Sequence, residues 1–469
     1  MHRSVNKKKT LFPLAAVSLS AALLYSGLYG GSAVRAEAAT APAASSSATV
    51  SSPSAADYKA FLQNQYKIEL LAAPTKGEFI QDVAKALKLG GTSPGENRFN
   101  DLKPEDPAYA AAQALAEKGV LSGGTLQASA PLTEDAAVYI ALKAADLKEL
   151  AYTYPEAKIK PALRKLGIDY PGNPKLSLQA AQELASAVDT GLLPAAWHSS
   201  FGLGDVASGD FAADLLGSVL SFKGAYKHTI GSVADADIFA KLYQAYQTQD
   251  LIQVKELQAV VDEALKQNLI TGYNLKDSRY SANFDPKLSL TYGHDDITHA
   301  VQLIGLLRSE GLNAKVQLEP KTSAFVYLKE WGEPKQTDSY KVMQIENGNY
   351  IAYAKEYDIA FEFDTAEQKA KFQDVVSQYA KKNSEDAKGL IASSWWQPLY
   401  YSLTPIDAYK EISNNKLTEG HYYAQTFSLS DKTAEIASGL QKIRPDAKVE
   451  SYRFWVDEPF YNYLLGGYK

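Results

Sequence analysis

The polar side chains that could do chemistry are densest between His294 and His299. Asp295 and His299 are four residues apart, so on a helix they would share one face and could both reach a metal ion. The same histidines could act with a pair of carboxylates in hydrolysis, and the 54 acidic residues offer many pairs. A structural interpretation competes with both, because Asp295 and Asp296 would complement the dipole of a helix that begins there and could bond to the histidine.

A second group of interest is aromatic and lies near the carboxy terminus. Trp395 and Trp396 are adjacent, and Tyr400 and Tyr401 follow in the same run. Tyrosine and tryptophan combine an apolar face with a polar tip, which suits sugar stacking and protein contacts. Successive side chains of a strand point to opposite faces, so the two tryptophans cannot share one core. We expect Trp395 and Trp396 to bind a ligand, the alternative being that they seal the sheet against a neighbouring domain.

Several kinds of chemistry are excluded or unsupported by the residues present. The chain has 469 residues and no cysteine, which excludes disulfides, thiolate metal sites and a cysteine nucleophile. We find no nucleophile elbow, zinc-protease, P-loop or dinucleotide-binding motif. The formal net charge of −6 does not indicate a nucleic-acid partner. We therefore assign no catalytic residue and no cofactor, and no metal beyond the candidate pair Asp295 and His299.

Residues 1–38 have the pattern of a secretory signal peptide. A basic start is formed by Arg3 and by Lys7 to Lys9. It is followed by an apolar run over residues 11–24 and by the small-x-small cleavage pattern Ala36-Glu37-Ala38. The alternative is an uncleaved membrane anchor, for which the apolar run is short, since a bilayer span takes about 20 residues. We expect cleavage, and no later stretch is long and apolar enough to be an integral membrane segment.

Residues 39–56 contain only Ala, Ser, Thr and Pro with one Val. They carry no charge and show no apolar periodicity. We expect this segment to be a flexible linker that leads to the first folded domain.

The first predicted domain, residues 57–200, is helical. Thr75-Lys76-Gly77-Glu78 is a capping-box pattern, and apolar residues recur after it at helical spacing. The pattern continues with a loop at Phe99-Asn100-Asp101 and a glycine-flanked turn at Gly119-Val120-Leu121-Ser122-Gly123. Pro131 and Thr133 then mark the start of a further helix.

This order of motifs resembles the S-layer homology domain, a bacterial module that binds cell-wall polymer. The resemblance covers about residues 74–147 and implies that Lys76, at the position of the family's arginine, attracts an anionic wall polysaccharide. We expect Lys76, Phe99 and Asp101 to bind that ligand. Lysine cannot make arginine's planar two-pronged contact, and Glu134 at the equivalent position of the next helix would repel an anion. The alternatives are that Lys76 is a solvated residue at a helix start and that Phe99 anchors the core.

Residues 201–356 are predicted to form a helical or mixed middle domain. Helical periodicity extends over residues 238–269, and the segments that follow repeat the earlier turn and loop. These segments are Leu269-Ile270-Thr271-Gly272 and Phe284-Asp285-Pro286. A degenerate further copy of the first unit is therefore plausible.

The next helix resembles a short part of the transglutaminase-like proteases. The matching residues are Ala300, Leu306-Leu307-Arg308 and residues 311–316. Asp296 falls at the position of the family's catalytic cysteine, and after the matched residues no histidine follows before His421. Aspartate cannot replace a thiolate in acyl transfer, so the resemblance implies a unit that is inactive in that chemistry.

Residues 357–469 are predicted to be an α+β domain. Residues 357–363 alternate between apolar and polar side chains as a half-buried strand does, and a helical pattern follows over residues 365–382. Residues 390–403 are predicted to be the next strand, and the pattern recurs as a strand, a helix and a strand over residues 422–456. Two β-α-β units in series favour a ferredoxin-like sandwich. The predicted fold class is thus a multidomain α+β protein with a helical amino-terminal region, a helical middle and a ferredoxin-like carboxy-terminal domain.

These features together predict an exported bacterial protein of the cell wall or cell surface. It would associate non-covalently with wall polysaccharide, and its carboxy-terminal domain would bind another wall component or an envelope protein. The alternative is a hydrolase that acts on wall material with carboxylates and the His294–His299 cluster. A third interpretation is a regulatory or structural protein of spores or envelope, in which the anchor-like domain is only a scaffold.

Overall fold

The computed structural model describes residues 53–90, 97–334, 336–379 and 399–467. The predicted signal peptide and the tryptophan pair Trp395 and Trp396 lie outside these residues. The described residues pack as one compact unit. No helix in the described part of the chain is long and apolar enough to cross a bilayer.

The amino-terminal part is built from helices with a shared apolar core. Ahead of the first strand the described residues contain α1 (Ala55–Phe61), α2 (Lys76–Ala86), α3 (Tyr109–Glu117), α4 (Glu134–Ala144), α5 (Lys148–Tyr152), α6 (Glu156–Arg164), α7 (Leu178–Asp189) and α8 (Gly209–Phe222). The capping box is confirmed, because Thr75 accepts a hydrogen bond from the Glu78 amide and the Glu78 carboxylate accepts one from the Thr75 amide.

Helix α8 lies at the centre of this part. Eleven of its fourteen residues are buried, so it is covered on nearly every side. Gly217 permits the close approach of α1, since a Cβ there would lie 2.0 Å from a ring carbon of Tyr58. A side chain at position 217 would therefore separate α1 from α8.

The rest of the chain forms a closed antiparallel barrel. The strands are β1 (Gly231–Ser232), β2 (Gly272–Asp277), β3 (Ser289–His294), β4 (Ala314–Val326), β5 (Tyr340–Gln344), β6 (Tyr350–Phe363), β7 (Leu399–Ser402), β8 (Lys410–Glu419), β9 (Tyr422–Ser428) and β10 (Val449–Val456). Eight of them pair in the order β4-β2-β9-β8-β10-β7-β3-β6, and β6 closes the ring by pairing with β4. The closing register runs from Ala314 opposite Phe363 to Val326 opposite Ile351. The two extra strands lie beside the ring, where β1 pairs with β4 and β5 pairs with β6.

Helices cover the apolar outer face of the barrel. These helices are α9 (Ile238–Gln247), α10 (Lys255–Lys266), α11 (Ile297–Ser309), α12 (Ala366–Tyr379) and α13 (Thr433–Ile443), and α14 (Glu458–Leu464) follows the last strand. Outward residues of β4 and β6, such as Leu318 and Phe361, share a cluster with Leu307 of α11 and Phe372 of α12. Leu275 of β2 packs in the same way with α10 and α13.

The inner face of the barrel is mixed in polarity. Directly opposed residues of an antiparallel pair lie on the same face, so the register assigns the inward set. Inward residues of β2, β4 and β6 are polar, among them Asn274, Lys276, Glu319, Lys321 and Asp358. The opposite wall of the interior is apolar, with Tyr401, Ile412, Phe427, Phe454 and Val456 in one cluster.

The predicted fold class is therefore wrong. Strands β2 to β5 and the start of β6 come from the region predicted to be helical or mixed, and the strands of the carboxy-terminal region are inserted between β2 and β3 of the barrel instead of forming a ferredoxin-like sandwich. Strand β6 crosses position 357, where the sequence suggested a boundary. The physical reason lies in the length of the pattern: β2 alternates between outward Tyr273 and Leu275 and inward Asn274 and Lys276, and two apolar positions are too few to distinguish a strand from a loop.

Candidate functional site

A chain of buried charges crosses the barrel interior. Lys276 Nζ lies 2.7 Å from Glu319 Oε2 and 2.9 Å from Asp358 Oδ2. Lys321 Nζ lies 2.8 Å from Asp358 Oδ1 and 3.4 Å from Glu356 Oε2. Carboxylates and ammonium groups thus alternate along this charge chain, which consists of Glu319, Lys276, Asp358, Lys321 and Glu356.

Asp358 is the centre of the charge chain and remains ionised. Burial alone would raise the pKa of Asp358, but the ammonium groups of Lys276 and Lys321 outweigh it and hold that pKa well below its usual value. Burial alone would lower the pKa of both lysines, and the neighbouring carboxylates reverse this and raise it. The Tyr401 hydroxyl also donates a hydrogen bond of 2.9 Å to Asp358. Asp358, Lys276 and Lys321 therefore form a fixed array of charges at neutral pH.

The charge chain ends at the floor of a cavity of about 930 Å³ that opens at one end of the barrel. Lys321, Ser323 and Asn274 line its floor together with Glu356. The Ser323 hydroxyl donates to the Glu356 carboxylate and lies 2.7 Å from the amide oxygen of Asn274. The floor is therefore polar and held in place by hydrogen bonds. The volume of the cavity is in the range of natural ligand pockets, which is roughly 300–1,000 Å³.

Aromatic side chains form one continuous wall of the cavity. Trp331 lies at the middle of this aromatic wall, with its ring centroid 5.3 Å from Tyr327 and 5.8 Å from Tyr463, on which it stacks at 25°. Tyr463 in turn stacks on Phe460 at a centroid distance of 6.1 Å. The segment after β4 supplies Tyr327 and Trp331, and α14 supplies Phe460 and Tyr463. Half-buried rings in this arrangement offer flat faces beside a polar floor.

The histidine cluster lines another part of the same cavity. His294 Nδ1 lies 2.9 Å from Asp295 Oδ1, so a protonated ring would donate to that carboxylate. The same nitrogen accepts from the Asp296 amide at 2.9 Å when the ring is neutral. The His299 ring packs edge-on against His294 at 3.8 Å. Burial, and then the neighbouring His294, lowers the pKa of His299 to about 4, so His299 is neutral at neutral pH.

The two candidate metal ligands do not form a metal centre with further ligands. No group of three or more His, Asp or Glu side chains that could hold a metal ion occurs among the described residues. Asp295 contacts His294. The Tyr292 hydroxyl lies 3.4 Å from His299 Nδ1. Asp296 caps α11 by accepting from the Thr298 amide at 2.9 Å, which gives this residue a structural role.

The residues expected to bind wall polymer occupy a different part of the chain. Phe99 is buried in the helical core with 2% of its surface exposed, as in the core-anchor alternative. Asp101 accepts hydrogen bonds from the amides of Leu126 and Gln127 at 2.9 and 2.7 Å, so it holds a loop. Lys76 is half-buried in the first turn of α2. These three residues do not line the cavity of the barrel.

Glu134 has a structural partner in the same part of the chain. Its carboxylate is buried and accepts a hydrogen bond of 2.9 Å from the Gly202 amide. Burial raises the pKa of Glu134, and the Gly202 bond opposes that change. At the position where the S-layer homology resemblance would place an arginine, this chain therefore uses the Glu134 side chain to join α4 to the segment before α8.

Sequence reasoning missed most of the cavity. It singled out Asp295 and His299, but not the aromatic wall or the charged floor. The signal available was the run of aromatic residues near Trp331, which includes Phe325, Tyr327 and Tyr340. The inward polar residues of β2, β4 and β6 gave no local signal, because they come together only when the barrel closes.

Comparisons with known proteins do not identify a family. No protein-family model matches the chain, and no curated protein shows significant sequence similarity to it. Function is therefore inferred from the residues and their geometry.

Proposed function

We propose that the protein is an exported binding protein of the bacterial cell surface and that the cavity of its barrel holds part of a saccharide chain. The observation that supports this most is the aromatic wall beside a polar floor in one open cavity. The apolar faces of sugar rings stack on aromatic rings, and their hydroxyl groups bond to carboxylates and amides.

The floor of the cavity is suited to binding because it is already ordered. Lys321 and Glu356 are fixed by the charge chain, and Ser323 lies between Glu356 and Asn274. A ligand that bonds to these groups does not have to immobilise them first, which lowers the entropic cost of binding. The expected affinity is therefore set mainly by stacking and by the fit of hydroxyl groups to the floor.

The location of the protein is part of the proposal. Residues 1–38 have the order of a signal peptide, and the helical part has the motif order of a wall-binding module. Such an attachment would hold the barrel near its ligand and raise the local concentration of the binding partner. Co-sedimentation of the full chain, without residues 1–38, with isolated cell-wall sacculi tests this. A folded protein that stays in the supernatant would contradict the wall association.

The saccharide proposal is tested by calorimetric titration of the same protein with soluble oligosaccharides of cell-wall type. We expect saturable binding of at least one oligosaccharide at millimolar affinity or tighter. A folded protein that binds none of a panel of neutral, amino and acidic tetrasaccharides would contradict it.

Replacing Trp331 with alanine should weaken saccharide binding by about tenfold, because truncating an aromatic residue at the centre of a binding site commonly costs more than about 1 kcal/mol. Trp331→Phe keeps an aromatic face and should recover part of the affinity. Tyr243→Ala, which removes a ring that is 42% exposed and lies outside the cavity, is the matched control. Equal affinity of Trp331→Ala and wild type, measured by calorimetry, would remove the aromatic wall from the proposal.

A wall-acting hydrolase is the second candidate, and one observation favours it. The His294–Asp295 pair faces a cavity that also contains the Glu356 carboxylate, so an oriented imidazole and a second acid are present together. Release of reducing ends from wall material would support this function if His294→Ala abolished the release and left binding intact. Absence of any release at high enzyme concentration would favour binding alone.

A further inference from the structure

We infer that the saccharide held in the cavity carries a free amino group, so that the ligand is an amino sugar with a positive charge. This inference rests on the proposed saccharide function and specifies the class of ligand.

The first support is the charge of the cavity. Among the described residues that line it, the carboxylates of Asp295, Glu330, Glu333 and Glu356 outnumber the single ammonium group of Lys321. That ammonium group already contacts Asp358 and Glu356. His299 is neutral at neutral pH. The cavity therefore has an excess of negative charge, which favours a cation and repels an anionic polymer.

The second support is an unused carboxylate oxygen at the floor. The Glu356 carboxylate contacts Lys321 and Ser323 through Oε2, whereas its Oε1 has no hydrogen-bond partner among the described residues. The buried side-chain amide of Asn274 lies 2.7 Å from the Ser323 hydroxyl and holds that hydroxyl beside Glu356. A carboxylate oxygen at the floor can accept a hydrogen from an ammonium group.

The third support is the aromatic wall itself. The rings of Tyr327, Trp331 and Tyr463 line the same cavity as Glu356, and the hydroxyl groups of the two tyrosines donate to backbone oxygens. Aromatic rings attract cations within about 6 Å of the centroid, most strongly where water is excluded. An ammonium group on a sugar that stacks on Trp331 is therefore stabilised both by the rings and by Glu356.

The test compares three tetrasaccharides that share one linkage. The tetramer of glucosamine carries free amino groups, whereas the tetramers of N-acetylglucosamine and of glucose are uncharged. Calorimetry at low salt should show that the glucosamine tetramer binds about tenfold more tightly than the other two. The advantage should shrink as salt is added, because screening weakens the attraction. Trilysine, which carries ammonium groups without sugar rings, should not compete.

The matched variants are Glu356→Gln and Glu256→Gln, the second of which removes an exposed carboxylate outside the cavity. Glu356→Gln should abolish the preference for the glucosamine tetramer, and Glu256→Gln should preserve it. If Glu356→Gln does not fold, the exposed rim pair Glu330→Gln/Glu333→Gln replaces it and should reduce the preference about threefold.

The outcomes separate this inference from the proposed function. Equal or tighter binding of the N-acetylated or glucose tetramer would overturn the amino-sugar inference and leave saccharide binding standing. Binding of none of the three would overturn both. Effective competition by trilysine would also overturn the inference, because it would show that charge alone, without the sugar ring, is recognised.

Discussion

Replacing Asp358 with asparagine is expected to lower the free energy of unfolding by about 3–5 kcal/mol, because it removes the shared anion of a buried charge network. Its carboxylate is 1% exposed and lies within 2.9 Å of the ammonium groups of both Lys276 and Lys321. The asparagine variant keeps the size of the side chain but leaves two lysines with one carboxylate each. Urea denaturation followed by circular dichroism measures the change in unfolding free energy.

The control for this variant is Asp446→Asn. Asp446 has a side chain that is 86% exposed and lies 3.7 Å from Arg444. Its loss should change the unfolding free energy by less than about 0.5 kcal/mol. A change below 1 kcal/mol in Asp358→Asn would show that the charge chain does not stabilise the barrel.

The charge chain also predicts how stability depends on pH. The pKa of Asp358 lies below its unfolded value, so the unfolded state takes up the proton first as the pH falls. Its contribution is complete above the unfolded pKa of about 3.9 and is lost as the pH falls from there towards the folded pKa. Between pH 5 and pH 2, the wild-type protein should therefore lose more stability than Asp358→Asn. Equal losses in the two proteins would contradict this assignment.

Replacing Phe99 with alanine is expected to destabilise the helical part by about 3–5 kcal/mol, the range for removing a buried phenylalanine. Phe99 is 2% exposed and belongs to the core formed by the helices before β1. Because it does not line the cavity, the folded fraction of the variant should bind saccharide as the wild-type protein does. Thermal unfolding and calorimetry measure the two effects separately.

Phe222→Ala is the matched control, since Phe222 lies at the end of α8 and is 43% exposed. It should cost much less stability than Phe99→Ala. A Phe99→Ala variant with unchanged stability and reduced binding to sacculi would instead make Phe99 a wall-binding residue.

The sequence predicted local structure where caps and periodicity carry the information. The Thr75 capping box begins α2, and the alternation over residues 357–363 lies in β6. An aspartate before Ile297 caps α11. These features depend on neighbouring residues, so they can be recognised without knowing the partners in space.

The barrel could not be predicted in the same way. Its closure depends on the pairing of β4 with β6 and on the insertion of the late strands between β2 and β3. The alternation of β2 is present, with Asn274 and Lys276 inward and Tyr273 and Leu275 outward, but it covers too few residues to identify a strand from the sequence alone. Long-range pairing thus decides the fold class, and the pattern of one strand does not reveal its partner.

The candidate site could not be predicted from the sequence for the same reason, because its residues meet only through long-range contacts. Its floor combines side chains from β2, β4 and β6, and its aromatic wall combines the segment after β4 with α14. Asp295 and His299 were recognisable because they lie close together in the chain. Trp331 and Glu356 were not, because 25 positions separate them and no motif joins them.

The central claim, that the cavity of the barrel binds a saccharide, is tested most directly by a crystal structure of the protein with the glucosamine tetramer. The account predicts a sugar ring stacked on Trp331 with its amino group beside Glu356 Oε1. Saccharide bound only at the helical part, or a cavity that excludes the oligosaccharide at saturating concentration, would contradict it.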